Sequence, residues 1–477
     1  MPTGRTWRRV DEPYPRDTST SCTGKHVNGP HPSGTPTDGT RPTAPIARPT
    51  DGTPTHAPNR HPDPRQAPAP HPERAPRAPG EWNGTCARAA KPRHPLPRTQ
   101  LRPPRNSPRR NAMTATPPDP QSDAQPAPVE SDRPGRIMAR EMAEQPAVLR
   151  RILEEGAPRI QDVAQRVAAR KPRFVLLTAR GTSDNAALYA KYLLEIRLGL
   201  PCGLASMSTT TAYGASPDLT DVLMITVSQS GGSPDLVAST RAAREAGAIT
   251  LAVTNNPDSP LAAVSEYHLD IMAGPEKALP ATKTYTASLL ALYLFVEGLQ
   301  GGDGAQAKVL PDLAEQLLAR QDEIRTLASR YRFAERMVIT SRGYGYPTAK
   351  EAALKLMETS YIPALSYSGA DLLHGPLAMV DNISPVIAVV TDGRGGEALQ
   401  PVLDRLRGRG ADLVVIGPRR QVEQASAGFV LPTEGVAEEV QPILEILPLQ
   451  LLAYEVTIAR GQDPDAPRAL AKVTETR

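Results

Sequence analysis

One passage of this sequence is written twice. Phe174-Val-Leu-Leu-Thr-Ala-Arg-Gly181 is echoed by Met337-Val-Ile-Thr-Ser-Arg-Gly343, residues 222–227 by 385–390, and Arg-Glu-Ala-Gly247-Ala-Ile-Thr-Leu by Gly-Arg-Gly410-Ala-Asp-Leu-Val-Val. From glycine to glycine the offsets are 162 and 163 residues, so the copies stay in register. In the first copy, apolar or β-branched runs at 174–178, 222–227, 249–253 and 269–272 alternate with helical stretches such as 185–197 and 234–245. Runs this apolar need cover on both faces. The pattern therefore predicts an α/β chain with two tandem three-layer αβα domains, each built on a parallel sheet. Ahead of the first copy, Met142, Val148, Leu149, Ile152 and Leu153 recur at helical spacing and predict an amphipathic helix over 136–169. The expected organisation is a helix plus first domain over 135–305, a charged helical linker over 306–331, a second domain over 332–460 and a C-terminal tail over 461–477.

Residues 1–134 are a different polymer. They hold 30 of the 52 prolines, both tryptophans (Trp7 and Trp82) and six of the eight histidines. Their 20 Lys+Arg against 12 Asp+Glu give +8, while the remaining 35 against 39 give −4. Without an apolar period such a segment cannot bury enough surface to offset chain entropy, and disorder is expected. It shows no apolar leader and no RNA-binding aromatic motif, so its arginines read as solvated charge, with a polyanion-binding tail as the alternative. A blander reading is that translation starts at Met113 or Met138 and that the upstream residues are what GC-rich DNA encodes out of frame. Of Cys22, Cys86 and Cys202 only the last lies in the foldable part, which leaves neither a disulfide framework nor a cysteine zinc site. The longest strongly apolar run, 289–296, falls well short of the roughly 20 residues a bilayer requires. A soluble cytoplasmic protein is expected, with no metal, cofactor, membrane or nucleic-acid partner.

Chemistry is suggested where the copies differ. After its second apolar run copy one reads Ser228-Gln229-Ser230-Gly231-Gly232-Ser233-Pro234-Asp235, whereas copy two reads Thr391-Asp392-Gly393-Arg394-Gly395-Gly396-Glu397. Ser233 and Pro234 suit the N-cap and first position of a helix. Free amides, the positive helix end and three hydroxyls would converge on one point, which suits an anion such as phosphate. The bland reading is an ordinary Ser-Gly turn. Gly181-Thr182-Ser183 would share the same carboxyl edge of the sheet, where open α/β folds bind ligands. In copy two, Glu351, Lys355 and Glu358 fall on one helix face. Their default reading is an amphipathic surface with an i,i+4 ion pair. The following stretch, Ser368 to Pro376, places His374 in a loop bounded by Gly and Pro, which suits proton transfer to sugar oxygens.

Six segments, in order over 136–477, carry a resemblance. Arg180-Gly-Thr-Ser183, Ser228-Gln-Ser-Gly231, Ala281-Thr-Lys-Thr-Tyr-Thr286, Glu351-Ala-Ala-Leu-Lys-Leu-Met-Glu358, His374-Gly-Pro376 and Pro467-Arg-Ala-Leu-Ala-Lys472 look like the sugar isomerase (SIS) family. More narrowly they resemble the isomerase half of glucosamine-6-phosphate synthase and the type II glucosamine-6-phosphate deaminases. The resemblance implies two SIS domains with flavodoxin-like sheets, a homodimer with a shared active site, and a phosphorylated hexose as substrate. By the same resemblance Ser228, Gln229, Ser230 and Ser233 form the phosphate loop, with Thr182 and Ser183 as further contacts. Glu358 shuttles a proton between C1 and C2. His374 opens the sugar ring and reaches the neighbouring subunit's site, Lys472 can form an imine, and Glu351 and Lys355 line the cavity. Ser233 stands where the synthase has Thr, and Asp371-Leu-Leu373 where it has Glu-Leu-Lys. The chain opens Met-Pro-Thr, where the synthase begins a glutaminase domain with a cysteine. These departures favour the deaminase, converting glucosamine 6-phosphate to fructose 6-phosphate and ammonia, over a synthase-type isomerising aminotransferase half. A non-catalytic sugar-phosphate sensor is the third reading; such sensors pair one SIS unit with a helix-turn-helix that 1–134 does not supply.

Overall fold

A computed structural model describes residues 133–469 and Lys472. The disorder expected for 1–134 thus falls almost entirely outside the described residues. The first half contains α1 (Arg136–Ala143), α2 (Gln145–Arg151), a π-helical turn (Ile152–Gly156), α3 (Ala157–Ala169), β1 (Phe174–Thr178), α4 (Thr182–Leu198), β2 (Cys202–Leu204) and α5 (Met207–Thr211). It continues with β3 (Val222–Val227), α6 (Pro234–Glu245), β4 (Ile249–Thr254), α7 (Pro260–Val264), β5 (Tyr267–Asp270) and α8 (Lys283–Leu299). Helices α9 (Leu310–Leu318) and α10 (Gln321–Tyr331) lead to the second half: β6 (Met337–Ser341), α11 (Tyr346–Ser360), β7 (Ala364–Ser368), α12 (Gly369–Leu373) and β8 (Val386–Val389). It closes with α13 (Arg394–Gly408), β9 (Leu413–Gly417), α14 (Arg419–Val422), β10 (Ala427–Val430) and α15 (Gln441–Ala459).

Both sheets are parallel and five-stranded, in the orders β2-β1-β3-β4-β5 and β10-β9-β8-β6-β7. Numbered within its own copy, each reads 2-1-3-4-5, the flavodoxin-like order. The duplication in the sequence is therefore a duplication of topology. Three details differ from the sequence reading. The helix expected over 136–169 is interrupted, because Pro146 and Pro158 each sit in the first turn of a new helix and cannot donate back to the preceding one. Strand β5 starts two residues before the expected 269–272, and Met272 takes a left-handed φ of 51° beyond it. Strands β2 and β7 have no counterpart among the expected runs: both are short and half-exposed, so neither shows an apolar run.

Helices α8 and α15, which follow the last strand of each copy, form the centre. Every residue of α8 is buried, as expected of a helix apolar on all sides. The segment Glu438–Ala459 is long and apolar enough to cross a membrane, yet 83% of that window is buried inside the protein, where α15 packs on α9, α10 and α11. Helices α4 and α11, which follow the first strand of each copy, pack on one another. The pairing is antiparallel: the start of α4, at the carboxyl edge of the first sheet, meets the middle of α11 at Glu351 and Lys355, while Tyr192 further along α4 lies toward Tyr346 at the start of α11.

One buried acid has a measurable consequence. Glu445 of α15 is fully buried, and neither carboxyl oxygen makes a well-aligned hydrogen bond, although Thr391 and Thr348 lie against it. Burial raises its pKa from an ordinary 4.5 to about 7. Its stabilising contribution is thus complete below pH 4.5 and is lost as pH rises through about 7. The loss amounts to about 3 kcal/mol. Glu445→Gln should therefore be more stable than the parent at pH 8 and indistinguishable from it near pH 4.5, in urea unfolding followed across that range. A parallel pH dependence in both proteins would show that Glu445 does not titrate there.

Candidate active site

The junction of α4 and α11 places an acid–lysine–acid triplet against the first copy's sheet edge. Glu351, Lys355 and Glu358 share one face of α11, and Lys355 and Glu351 are fully buried. The Lys355 ammonium lies 3.4 Å from Glu351 Oε1, and it donates to Thr182 Oγ1 at 3.0 Å and to Glu358 Oε2. All three of its donors are used. Glu351 also accepts from Thr182 Oγ1 at 3.0 Å and from Asn185 Nδ2 at 2.8 Å. Thr182 and Asn185 lie one helical turn apart on α4, so a single face of one helix holds a single face of the other. Burial would lower the pKa of Lys355, but the carboxylates of Glu351 and Glu358 outweigh it and raise the pKa above the ordinary lysine value. Lys355 is a fixed cation. Of the three side chains only Glu358 reaches the surface, at 22% exposure, so it alone can meet a ligand.

The serine loop lies on the same edge. Ser228 Oγ accepts from the Gly231 amide at 3.1 Å and Ser230 Oγ from the Gly232 amide at 3.3 Å, closing a compact turn between β3 and α6. Gly231 has φ 64°, and a Cβ there would lie 2.3 Å from Ser259 Oγ, so only glycine fits. The Gln229 carbonyl accepts from the Asn255 amide at 3.0 Å, which ties the loop to the end of β4. Ser233 is the N-cap of α6, and its hydroxyl makes no capping bond. Arg180, two residues before Thr182, donates from Nη2 to buried Asp235 at 2.8 Å, in the first turn of α6. The Arg180–Asp235 pair thus ties the start of α6 to the turn that leads into Thr182, and Thr182 in turn holds Lys355. Ser183, in the first turn of α4, lies beside Thr182.

The other two expected catalytic residues lie apart from this cluster. His374 is exposed at the end of α12, and its ring makes no hydrogen bond or ion pair with the described residues. Lys472 is held by Glu276 Oε2 at 3.2 Å and by the Ala278 carbonyl. Glu276 is itself buried and accepts from the Thr282 and Thr284 amides at 3.0 and 3.1 Å. This gives the Ala281–Thr286 motif a structural role. Its Lys283 is also buried, paired with Glu144, and Thr286 bonds Gln145. The tail is anchored before it reaches Lys472. Asp465 accepts from the Ile137 and Met138 amides at the start of α1, and Arg468 lies 4.7 Å over the ring of Tyr361, three residues after Glu358.

Sequence reasoning missed Asn185, Arg180, Asp235 and Glu276. Asn185 carried a usable signal, one helical turn from Thr182. Glu276 carried none: its near partners, Thr282 and Thr284, bind it across an irregular turn without a helical or strand period, and Lys472 lies 196 positions away. Among the described residues no group of three or more His, Cys, Asp or Glu side chains is placed to hold a metal ion.

Comparison with known proteins bears on the fold that carries these residues. A family model described as SIS domain matches residues 170–298 and 331–460. A curated relative from Pseudomonas aeruginosa, named glutamine–fructose-6-phosphate aminotransferase (isomerizing), is 34% identical over 355 residues; the match covers 70% of this chain and 58% of the relative. The chain therefore spans somewhat over half the length of the curated relatives it matches. A solved chain from Silicibacter pomeroyi DSS-3, provisionally named a phosphosugar isomerase, is 33% identical with a TM-score of 0.63, covering 69% of this chain and 99% of its own. The C-terminal domain of glucosamine-fructose-6-phosphate aminotransferase from Francisella tularensis is 27% identical with a TM-score of 0.62, covering 70% of this chain and 99% of its own.

Proposed function

The chain belongs to the SIS-domain family, and from that premise we propose that it is an amino-sugar-phosphate isomerase that deaminates glucosamine 6-phosphate to fructose 6-phosphate and ammonia. One observation carries the reading: a partly exposed carboxylate, Glu358, is fixed by a buried cation at the edge that also bears the serine loop. The loop would hold the phosphate of the open-chain hexose through Ser228, Gln229, Ser230 and Ser233, with Thr182 and Ser183 beside it. Anchoring the remote phosphate supplies binding energy that positions the reacting carbons. Glu358 would take the proton from C2 of the open aldose and return it to C1, through an enolamine. A lysine amine would add to the resulting C2 imine and expel ammonia, and water would then hydrolyse the lysine imine to free fructose 6-phosphate and the amine. Lys355 cannot be the imine-forming amine, since two carboxylates keep it protonated and all its donors are used. That role falls to Lys472, released from Glu276. His374, free at the surface, would open the ring from a second copy of the chain in a homodimer.

A second reading is favoured by the names of the curated relatives: the same steps run in reverse, as the isomerising half of an aminotransferase. Both readings need a soluble enzyme with a phosphosugar substrate. Purified full-length protein should be given glucosamine 6-phosphate, and separately fructose 6-phosphate with ammonium or glutamine, and product measured in each direction. Faster ammonia release from glucosamine 6-phosphate supports the deaminase, and faster amination supports the second reading. No turnover in either direction, with tight binding of the sugar phosphate, would leave the sensor. Ser230→Ala should raise KM for the sugar phosphate by roughly ten- to a hundredfold, the worth of a hydrogen bond to a charged group. An unchanged KM would place the phosphate elsewhere.

A further inference from the structure

Helix α11 ends on a residue that its backbone does not favour. Tyr361, three positions after Glu358, takes a left-handed φ of 54° at the place where helices ordinarily end on glycine. A side chain this large rarely adopts that conformation, so the surrounding structure must hold it there. Its side chain meets the C-terminal tail in two ways. Tyr361 Oη accepts from the Arg468 amide at 2.8 Å, and the Arg468 guanidinium lies 4.7 Å over the same ring. Ala469, the next residue of the tail, is also left-handed, at φ 55°. The contact is thus flanked by an unfavourable backbone conformation on each of its two chain segments.

Two other anchors bracket this contact. Upstream, Asp463 accepts from the Gly135 amide at 2.8 Å, and Asp465 from the Ile137 and Met138 amides at 2.7 and 2.9 Å. Downstream, Lys472 rests on Glu276 and on the Ala278 carbonyl. Measured from Asp465, the arm that carries the amine could stretch about 24 Å; measured from Arg468, about 14 Å. Tyr361 itself stands only about 4.5 Å along the helix axis from Glu358. The contact therefore fixes the base of the Lys472 arm at the helix end that bears the acid. A tethered group reacts faster the shorter and better aimed its arm.

We infer that Tyr361 is a positioning residue: with Arg468 it clamps the tail to the end of α11, so that the Lys472 amine and the Glu358 carboxylate address the same open-chain sugar. The inference rests on the reaction proposed above. In this role Tyr361 neither touches the sugar nor moves a proton. Attack of Lys472 on the C2 imine, with expulsion of ammonia, depends on the clamp, whereas the proton transfer by Glu358 that precedes it does not.

Two mild variants of the full-length chain test it. Tyr361→Phe removes the acceptor and keeps the ring, and Arg468→Ala removes the guanidinium and keeps the amide, so both should fold as the parent does. With saturating fructose 6-phosphate, cyanoborohydride should reduce the sugar imine onto Lys472 about two- to fivefold more slowly in each variant and about tenfold more slowly in the double, as expected of one exposed cation–π contact and one hydrogen bond. The kcat for ammonia release should fall in step. KM for glucosamine 6-phosphate, and the loss of deuterium from its C2 to water, need the serine loop and Glu358 and should change by less than about twofold. A merely structural Tyr361 would lower all of these together. Limiting acetic anhydride reads the clamp without any sugar: relative to the other lysines, Lys472 should be acetylated several-fold faster in the double variant, because the clamp no longer keeps it on Glu276. A parent that traps no sugar on Lys472 would refute the proposed reaction, and the acetylation ratio would then decide the clamp by itself. Equal acetylation in the parent and the double variant would overturn the inference, as would parent-like trapping in the double.

Discussion

Glu358→Gln should lower kcat by about 10³-fold while the affinity for the sugar phosphate changes by no more than a few-fold. The size of the effect is that of losing the one group that carries the proton between two carbons. The amide keeps the shape of the side chain, and its oxygen can still accept from Lys355, which retains Glu351 and Thr182 as partners. The fold should therefore be untouched. Ammonia release gives kcat, and calorimetric titration with the sugar phosphate gives affinity. Parent-like turnover would move the proton transfer to another residue; loss of binding with turnover per bound molecule unchanged would make Glu358 a structural group.

Lys355→Met should cost about 3–5 kcal/mol of stability, which is what stranding one member of a buried ion pair costs. Glu351 would remain fully buried, with only the Thr182 and Asn185 side chains to balance its charge. The double variant Lys355→Met/Glu351→Gln should recover most of the loss, because it removes the stranded charge together with its partner. Urea unfolding of the parent, both singles and the double gives the coupling directly. A Lys355→Met protein as stable as the parent would mean that solvent reaches Glu351 and that the α4–α11 junction is not closed. The double variant should still turn over poorly, since Glu358 has lost the cation that orients it.

Much of this site is legible in local patterns of residues. Ser228 to Ser233 stand out because copy two lacks the hydroxyls, and Glu351, Lys355 and Glu358 because 3.6-residue periodicity puts them on one face. The i,i+4 pair that reads as a plain surface feature is in fact fully buried, and spacing does not report burial. Asn185 is separated from Glu351 by 166 positions, and Lys472 from Glu276 by 196. No local pattern announces either pair.

Glu438 shows the same limit from the other side. The duplicated loop in copy two reads as one without the serine loop's chemistry, yet its Gly395 amide holds an anion, the Glu438 carboxylate, supplied from 43 residues further along the chain. The alternation of apolar runs and helices, the two-fold repeat and the glycine turns were settled by sequence alone, because each depends on neighbours within a few positions. Which helices pair across the repeat, which acids are dry, and which carboxylate fills which helix end were decided only in three dimensions. Those outcomes depend on desolvation and on contacts between distant segments, which exist only after the two halves have packed.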